Sequence, residues 1–513
     1  MKQFTIQEET EKKSNSKLAK LNRNFILLSI TSILFIFSFP PNLTGFFSFF
    51  TFVPAFFYLD RNPESPFKGG FFCGAFATLC LLYWFYWTVS TFALAAFPYL
   101  GFYWGLIFFI SVSVRKKLPQ IGFYFFPFLW CSFDYLFEFG HLAFPWVKFG
   151  YSLSYYTNLI QISEFIGIQG ITFWVLLINV VVYEIFKKYD SAEKFKPQFI
   201  TLIVLIFVPY IYGVIKTSNP VFEENIKVGI IQTNVDPFQK WGSKRYEQLR
   251  DVLNSYEELA PNCDVVITPE TVMPFYLRSN KNAIRLVEMS VEEFGTPFVV
   301  GTPDSPIEGN EKHYNSVVFV KTDTVAVYNK IKLVPFGERV PFVDYFPNLE
   351  NIDFGLGEGH FSRGENVAIF DFQKEGRQIK FSPSICFESI FQEQLSESVL
   401  NGSDFLVNIT NDAWFGWTHE QYQHSQAKIF RAIENKRSLV RVGNGGFSMV
   451  VSPFGEVLFK TNLNEKINSV VEVPIIKNEL TFFTKFGKYL GQIFLIVTSL
   501  ILVLCLVFKP KKS

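Results

Sequence analysis

The sequence predicts an α/β catalytic domain inserted into an eight-span helical membrane region, and three observations predict it. The 513 residues are 49% hydrophobic and 19% aromatic, more than a soluble globular chain carries. Apolar runs close to the ~20 helical residues that cross a hydrocarbon core fill positions 1–217 and recur once near the end. Between them, over 218–485, charges become frequent and strand-length Val/Ile/Phe runs alternate with amphipathic stretches, the pattern of an α/β layered domain.

The expected spans are 25–41, 44–59, 70–97, 98–114, 121–139, 167–186 and 198–215, with the eighth at 489–508. Their orientation follows from the basic residues that flank them, because Lys and Arg in short loops stay on the cytoplasmic side. Lys12, Lys13, Lys17, Lys20 and Arg23 precede the first span, and Arg61 and Lys68 follow the second. Arg115, Lys116 and Lys117 follow the fourth, and Lys187, Lys188, Lys194 and Lys196 follow the sixth. An odd seventh span then carries 218–485 to the far side, and the eighth brings Lys509, Lys511 and Lys512 back. The first span has no small-residue cleavage site after it and is expected to be retained. The expected domains are 1–217, a membrane region; 218–485, a catalytic domain; and 486–513, a last span with a basic tail.

Within 218–485 the strand-length runs are 227–235, 264–270, 297–304, 315–320, 379–386, 404–412 and 438–446, with helical patterns at 243–259, 280–294, 388–400 and 419–437. Sites in such domains collect at strand ends. Three ends carry reactive groups: Glu270 closes VVITPE, Lys330 sits in VYNKIKLVPFGE, and Cys386 closes IKFSPSIC. A thiol attacking a carbonyl needs a base for its proton, and a cation or N–H donors for the oxyanion. A carboxylate and an amine can supply these. A helix starting just after Cys386 is expected to lower the thiol's pKa and to offer an N–H to the oxyanion. Taken singly, each residue also reads as a strand-end surface charge or a small core thiol.

Other classes find less support. Net charge is +1, so no basic field points to nucleic acid. Of six Cys, four (Cys73, Cys80, Cys131, Cys505) fall in apolar segments, which is neither a disulfide framework nor a paired metal motif. In WTHEQYQH, His419 and His424 are five apart and do not share a helix face, so no metal is expected there. GNGGF at 443–447 reads as a turn, and Trp146 as lipid-facing or interfacial bulk. Asp134 and Glu164, in or near spans, are costly charges to which the sequence gives no role.

TPETVMPF with Glu270, YNKIKLVPFGE with Lys330 and Glu338, and SICFES with Cys386 resemble the three signature segments of the nitrilase (carbon–nitrogen hydrolase) superfamily, in the same chain order. LVNITNDAWFG (406–416) and RVGNGGFSMVVSPFGE (441–456) extend the resemblance across the domain. With FPWVKFGYS (144–152) and the span layout, the chain resembles the membrane branch of that superfamily, the apolipoprotein N-acyltransferase family. The resemblance implies an α-β-β-α sandwich for the inserted domain and a Glu270–Lys330–Cys386 triad without cofactor. It implies transfer of an acyl chain from a membrane phospholipid, through a Cys386 thioester, to the α-amine of a diacylglyceryl-cysteine apolipoprotein. It further implies a bacterial inner-membrane monomer with a periplasmic catalytic domain, and supporting roles for Trp241, Glu338, Glu388 and Phe387. Phe387 stands where that family usually has Tyr. Two alternatives stay open at this point: a membrane-tethered nitrilase-type amidase, and a catalytically silent paralogue that binds lipoprotein.

Overall fold

The computed structural model describes residues 21–507 apart from 62, 90–92, 238–239, 241, 243, 306–311, 352–359 and 477–478. Among the described residues six helices are long and apolar enough to cross a membrane: Leu21–Ser38, Pro66–Phe85, Ala96–Lys117, Ser163–Asp190, Lys196–Ser218 and Phe482–Val507. The other two expected spans are not single membrane-length helices. The run at 44–59 becomes Gly45–Asp60, a 3-10 turn followed by the Val53–Asp60 helix. The run at 121–139 holds only the Phe126–Leu136 helix, about 16 Å long at 1.5 Å per residue and far short of a ~30 Å core. Pro119 and Pro127 mark its approach. Most of its residues are buried, the setting in which irregular backbone is tolerated at membrane depth. The 70–97 run also ends early, at Phe85.

Among the described residues the inserted domain has twelve strands: β1 Glu224–Gln232, β2 Val265–Ile267, β3 Phe298–Asp304, β4 Tyr314–Val320, β5 Val325–Asn329, β6 Phe370–Lys374, β7 Arg377–Ile385, β8 Phe405–Asn411, β9 Leu439–Asn444, β10 Met449–Val451, β11 Val457–Lys460 and β12 Ile467–Ile475. They form two six-stranded sheets, ordered β12-β1-β2-β3-β4-β5 and β11-β10-β9-β8-β7-β6. Each sheet has a parallel centre, β1-β2-β3 in one and β7-β8-β9 in the other. Alternate residues of facing strands, among them Val228, Ile230 and Ile267 opposite Phe381, Val407 and Ile409, bury into one core between the sheets, as the pleat requires. Helices Arg245–Leu259 and Lys281–Phe294 cover the outer face of the first sheet. The second of these is capped by Asn280, which accepts from the Ala283 N–H, and it ends at the left-handed Gly295.

The helix layer outside the second sheet decides the shape of the molecule. Gln392–Leu400 and Glu420–Asn435 place Leu395, Val399, Ile429, Phe430 and Ile433 in the same continuous core as Phe35, Phe52, Trp130, Phe149 and Val175 of the membrane region. The fold is therefore an α-β-β-α sandwich whose one outer layer is also the floor of the membrane helices.

Candidate active site

The three candidate residues lie just beyond the carboxyl ends of strands from both sheets. Glu270 follows β2, Lys330 directly follows β5, and Cys386 directly follows β7. Lys330 is 1% exposed; its Nζ lies 3.2 Å from Glu270 Oε1 and 2.7 Å from Glu338 Oε1. Asn315, in β4, donates to Glu270 Oε1 at 2.7 Å and to Glu338 Oε1 at 3.0 Å. Glu270 Oε2 accepts the Asn411 N–H at 2.8 Å, and Glu338 Oε2 accepts the Val334 N–H at 2.9 Å. Both carboxylates are thus fixed from two sides, and the ammonium is fixed between them. Burial works against the Lys330 charge, but Glu270 and Glu338 outweigh it and hold its pKa well above the ordinary lysine value.

Cys386 takes φ +49°, a left-handed conformation that costs a non-glycine residue about 1–2 kcal/mol and turns the chain sharply off β7. The helix expected after it is a five-residue 3-10 segment, Cys386–Ile390, and the α-helix begins only at Gln392. The expected lowering of the thiol pKa is not found. Burial and then the Glu270 charge push it well above the ordinary cysteine value, against the opposing pull of Lys330 and a Thr410 hydrogen bond. At neutral pH Cys386 rests as a thiol beside a carboxylate and an ammonium, so attack by its sulfur would require a base.

Glu388 is fully buried and does different work. It accepts from the Tyr328 hydroxyl at 2.7 Å, from the Ile331 and Lys332 N–H groups at 2.6 and 3.1 Å, and from the Ile385 N–H at 2.7 Å. One carboxylate thereby ties the strand end that carries Cys386 to the loop after Lys330, across the two sheets. Phe387 is buried among rings of the membrane region, stacked on Phe144 at 5.7 Å and Trp146 at 6.3 Å. A phenol hydroxyl is not needed to fill that position. Trp241 lies outside the described residues.

Trp146 is not lipid-facing. It is buried at the junction with the catalytic domain, and its Nε1–H donates to Gln423 Oε1 at 2.9 Å, which also accepts from Trp84 at 3.2 Å. Asp134 accepts the Tyr103 hydroxyl at 2.7 Å. Glu164 stands between Lys216 at 3.4 Å and Lys436 at 3.6 Å, so it joins a membrane helix to the catalytic domain.

Sequence reading missed Asn315, Tyr328, Asn408 and the group beneath Cys386. In that group Asp412, Glu420 and His424 bring ligand atoms within 4.8 Å of one another; the helical spacing that puts two of them together is Glu420 to His424. The Arg441 guanidinium contacts Asp412 and comes within 3.5 Å of His424 Nδ1, and Lys428 is buried on the same helix. Positive charge already occupies the spot, so the residues fit an internal ion-pair network better than a metal centre. Burial, followed by Lys428, pushes His424 down to about 3, while burial and Asp412 push Glu420 well up.

Residues 31–181 match the family model described as Apolipoprotein N-acyltransferase N-terminal domain, and residues 227–475 match Carbon-nitrogen hydrolase. The Apolipoprotein N-acyltransferase of Geobacter metallireducens is 30% identical over 489 residues, 91% of this chain and 92% of the relative. That of Chlorobaculum tepidum is 28% identical over 411 residues, 72% of this chain and 77% of the relative. Among solved structures, an amidase from Nesterenkonia sp. aligns at 18% identity over 51% of this chain and 95% of its own, with TM-score 0.38.

Proposed function

Because the chain belongs to the apolipoprotein N-acyltransferase family, we propose that Glu270, Lys330 and Cys386 carry out a two-step acyl transfer at a membrane surface. The protein is a membrane acyltransferase with a carbon–nitrogen hydrolase-type domain, and it N-acylates lipoproteins. The observation that carries the residue assignment is the convergence of a buried ammonium, a carboxylate held on both oxygens and a protonated thiol at neighbouring strand ends.

Glu270 takes the Sγ proton as Cys386 attacks the ester carbonyl of a phospholipid. The tetrahedral oxyanion is met by Lys330 and the Phe387 N–H. Collapse expels the lysophospholipid alkoxide, which takes the proton from Glu270 and leaves a thioester. The α-amine of a diacylglyceryl-cysteine apolipoprotein then attacks, loses its proton to Glu270 and forms the amide; the thiolate leaves and recovers that proton. Glu338 and Asn315 orient Lys330 and Glu270, Glu388 fixes the two strand ends together, and family resemblance gives Trp241 a supporting role. Both substrates are lipid-anchored, so a site at the membrane restricts their approach to two dimensions, and excluding water favours aminolysis over hydrolysis. A tethered amidase would need the spans only as an anchor; here they bury one whole layer of the catalytic domain.

We place the enzyme in the bacterial inner membrane as a monomer. In this reading 1–217 is the membrane region, 218–485 the periplasmic catalytic domain, and 486–513 the returning span and tail. The test is intact-protein mass spectrometry after incubation with phospholipid. An acyl-sized adduct is expected on the wild type and not on Cys386→Ala, discharged rapidly by a diacylglyceryl-cysteine peptide and slowly by water. Absence of an adduct, with hydrolysis of short amides, would overturn the transfer. A reporter fused after residue 217 should report the periplasm, and a cytoplasmic signal would overturn the orientation.

A further inference from the structure

The carbonyl of the nucleophile itself is held unusually tightly. Cys386 O accepts from Ser389 Oγ at 2.9 Å, from His424 Nε2 at 3.1 Å and from Asn408 Nδ2 at 3.3 Å. His424 is fully buried on the helix Glu420–Asn435. Because a carbonyl can only accept, Nε2 carries the hydrogen. Its other nitrogen sits 3.3 Å from Asp412 Oδ1 and 3.4 Å from Glu420 Oε1, and its ring lies 5.3 Å from Trp146 of the membrane region. With the ring neutral and Nε2 protonated, Nδ1 can only accept, and the donor it faces is the Arg441 guanidinium at 3.5 Å; the ring is held between that guanidinium and the Trp146 ring while it donates to one backbone atom.

That atom belongs to the peptide whose other end is the Phe387 N–H. A peptide is a conjugated plane, so a hydrogen bond received at its oxygen draws electron density from its nitrogen and makes the N–H a better donor. It also fixes the direction of that N–H, which the left-handed turn at Cys386 would otherwise leave to strain alone. We propose that His424, assisted by Asn408, is a positioning residue for acyl transfer: it orients and polarises the Cys386–Phe387 peptide so that its N–H meets the oxyanion. The inference rests on the reaction proposed above and adds to it a residue 38 positions along the chain from Cys386, on the helix that packs against the membrane region.

Two reactions of the same thiol separate this role from general support of the fold. Acylation by a p-nitrophenyl acyl ester passes through an oxyanion; alkylation by iodoacetamide at Sγ does not. His424→Met removes the donor, His424→Asn keeps a polar group too short to reach Cys386 O, and His424→Gln can place an amide N–H near the lost Nε2. In the full-length protein in detergent, followed by intact mass, His424→Met and His424→Asn should each lower the single-turnover acylation rate about ten- to hundredfold, below the roughly 10²- to 10³-fold lost when an oxyanion donor is removed outright. Their alkylation rates should stay within about threefold of wild type, the scale on which the oxyanion contributes nothing. His424→Gln should recover most of the acylation rate. The inference is overturned if Met and Asn acylate like wild type, if alkylation falls as far as acylation, or if Gln gives no recovery. If Met does not fold, Asn and Gln carry the comparison. The ester needs no phospholipid recognition, so failure of transfer from phospholipid would count against the proposed substrate and leave this comparison standing.

Discussion

At the scale of single residues, charge placement around Cys386 makes a prediction with a definite sign. Burial and Glu270 raise the thiol's pKa and Lys330 lowers it, so iodoacetamide labelling should rise with pH through a midpoint above the ~8.5 of a free cysteine. Removing a nearby negative charge favours the thiolate: Glu270→Gln should move the midpoint down, and Lys330→Met should move it up. Opposite shifts in the labelling profile would contradict the arrangement. Transfer, by contrast, should be lost in both variants, because the proposed mechanism then lacks its base in one and its cation in the other. Asn315→Leu would leave two buried carboxylate oxygens short of a donor, a penalty of about 1–3 kcal/mol. If it falls on the transition state, the single-turnover rate drops roughly five- to 150-fold, with lipid binding unchanged. The candidate trio could be named from the sequence because Glu270 and Cys386 close strand-length runs and the segments around all three residues resemble a known family; the strand before Lys330, β5, was not among the runs the sequence offered. Asn315 was not, since an Asn in mid-strand gains meaning only from what the neighbouring strand ends bring to it. His424 was hidden for a related reason. Spacing was judged for a His–His pair, whereas its partners are Glu420 one turn earlier and Asp412 beyond β8.

Elements, rather than residues, set the distance between the groups. Glu270 leaves β2 across the end of β3, where Gly301 packs directly under the Pro269 carbonyl and the Glu270 backbone. A Cβ at Gly301 would collide with that carbonyl, and neither side of the contact is a flexible side chain. Gly301→Ala should therefore cost about 1–3 kcal/mol of stability, the range for overpacking a core, and should push Glu270 away from Lys330. Thermal unfolding in detergent reads the first effect and single-turnover acylation the second; an unchanged acylation rate would mean that the strand end relaxes without moving the base. Strand positions were readable from runs such as DVVITPE and DFLVNITND because β-branched residues suit a doubly covered sheet. Membrane element lengths were less so. Hydropathy counts apolar residues, and it does not distinguish a span exposed to lipid from an apolar turn or an eleven-residue helix buried between neighbours, so the segments at 44–59 and 121–139 read as spans.

On the scale of the whole molecule, the membrane region and the catalytic domain are one packed body, and the joint is built from backbone as well as side chains. Ser163–Asp190 is interrupted at Gly167, which takes φ +56° and ψ −174°. The break turns the Ile168 N–H out of the helix, and it donates to Glu434 Oε1 at 2.7 Å. Glu434 in turn pairs with Arg431 at 2.7 Å, and Arg431 donates to the Ile390 carbonyl at 3.1 Å, at the end of the short helix that begins with Cys386. A chain of polar contacts thus runs from a membrane helix to the segment that begins with Cys386, all of it buried, where unpaired groups are costly. Gly167→Ala attacks the first link twice: alanine disfavours the positive φ, and its Cβ would enter the ring of Phe483. If the helix straightens, the Ile168 N–H returns to the helical ladder and Glu434 loses a donor in a buried site, a loss of about 1–3 kcal/mol. The expected outcome is a lower unfolding temperature in detergent together with slower Cys386 acylation, although position 167 is remote in sequence from the triad. A variant that loses stability but acylates at the wild-type rate would show that the joint holds the two parts together without setting the position of the nucleophile.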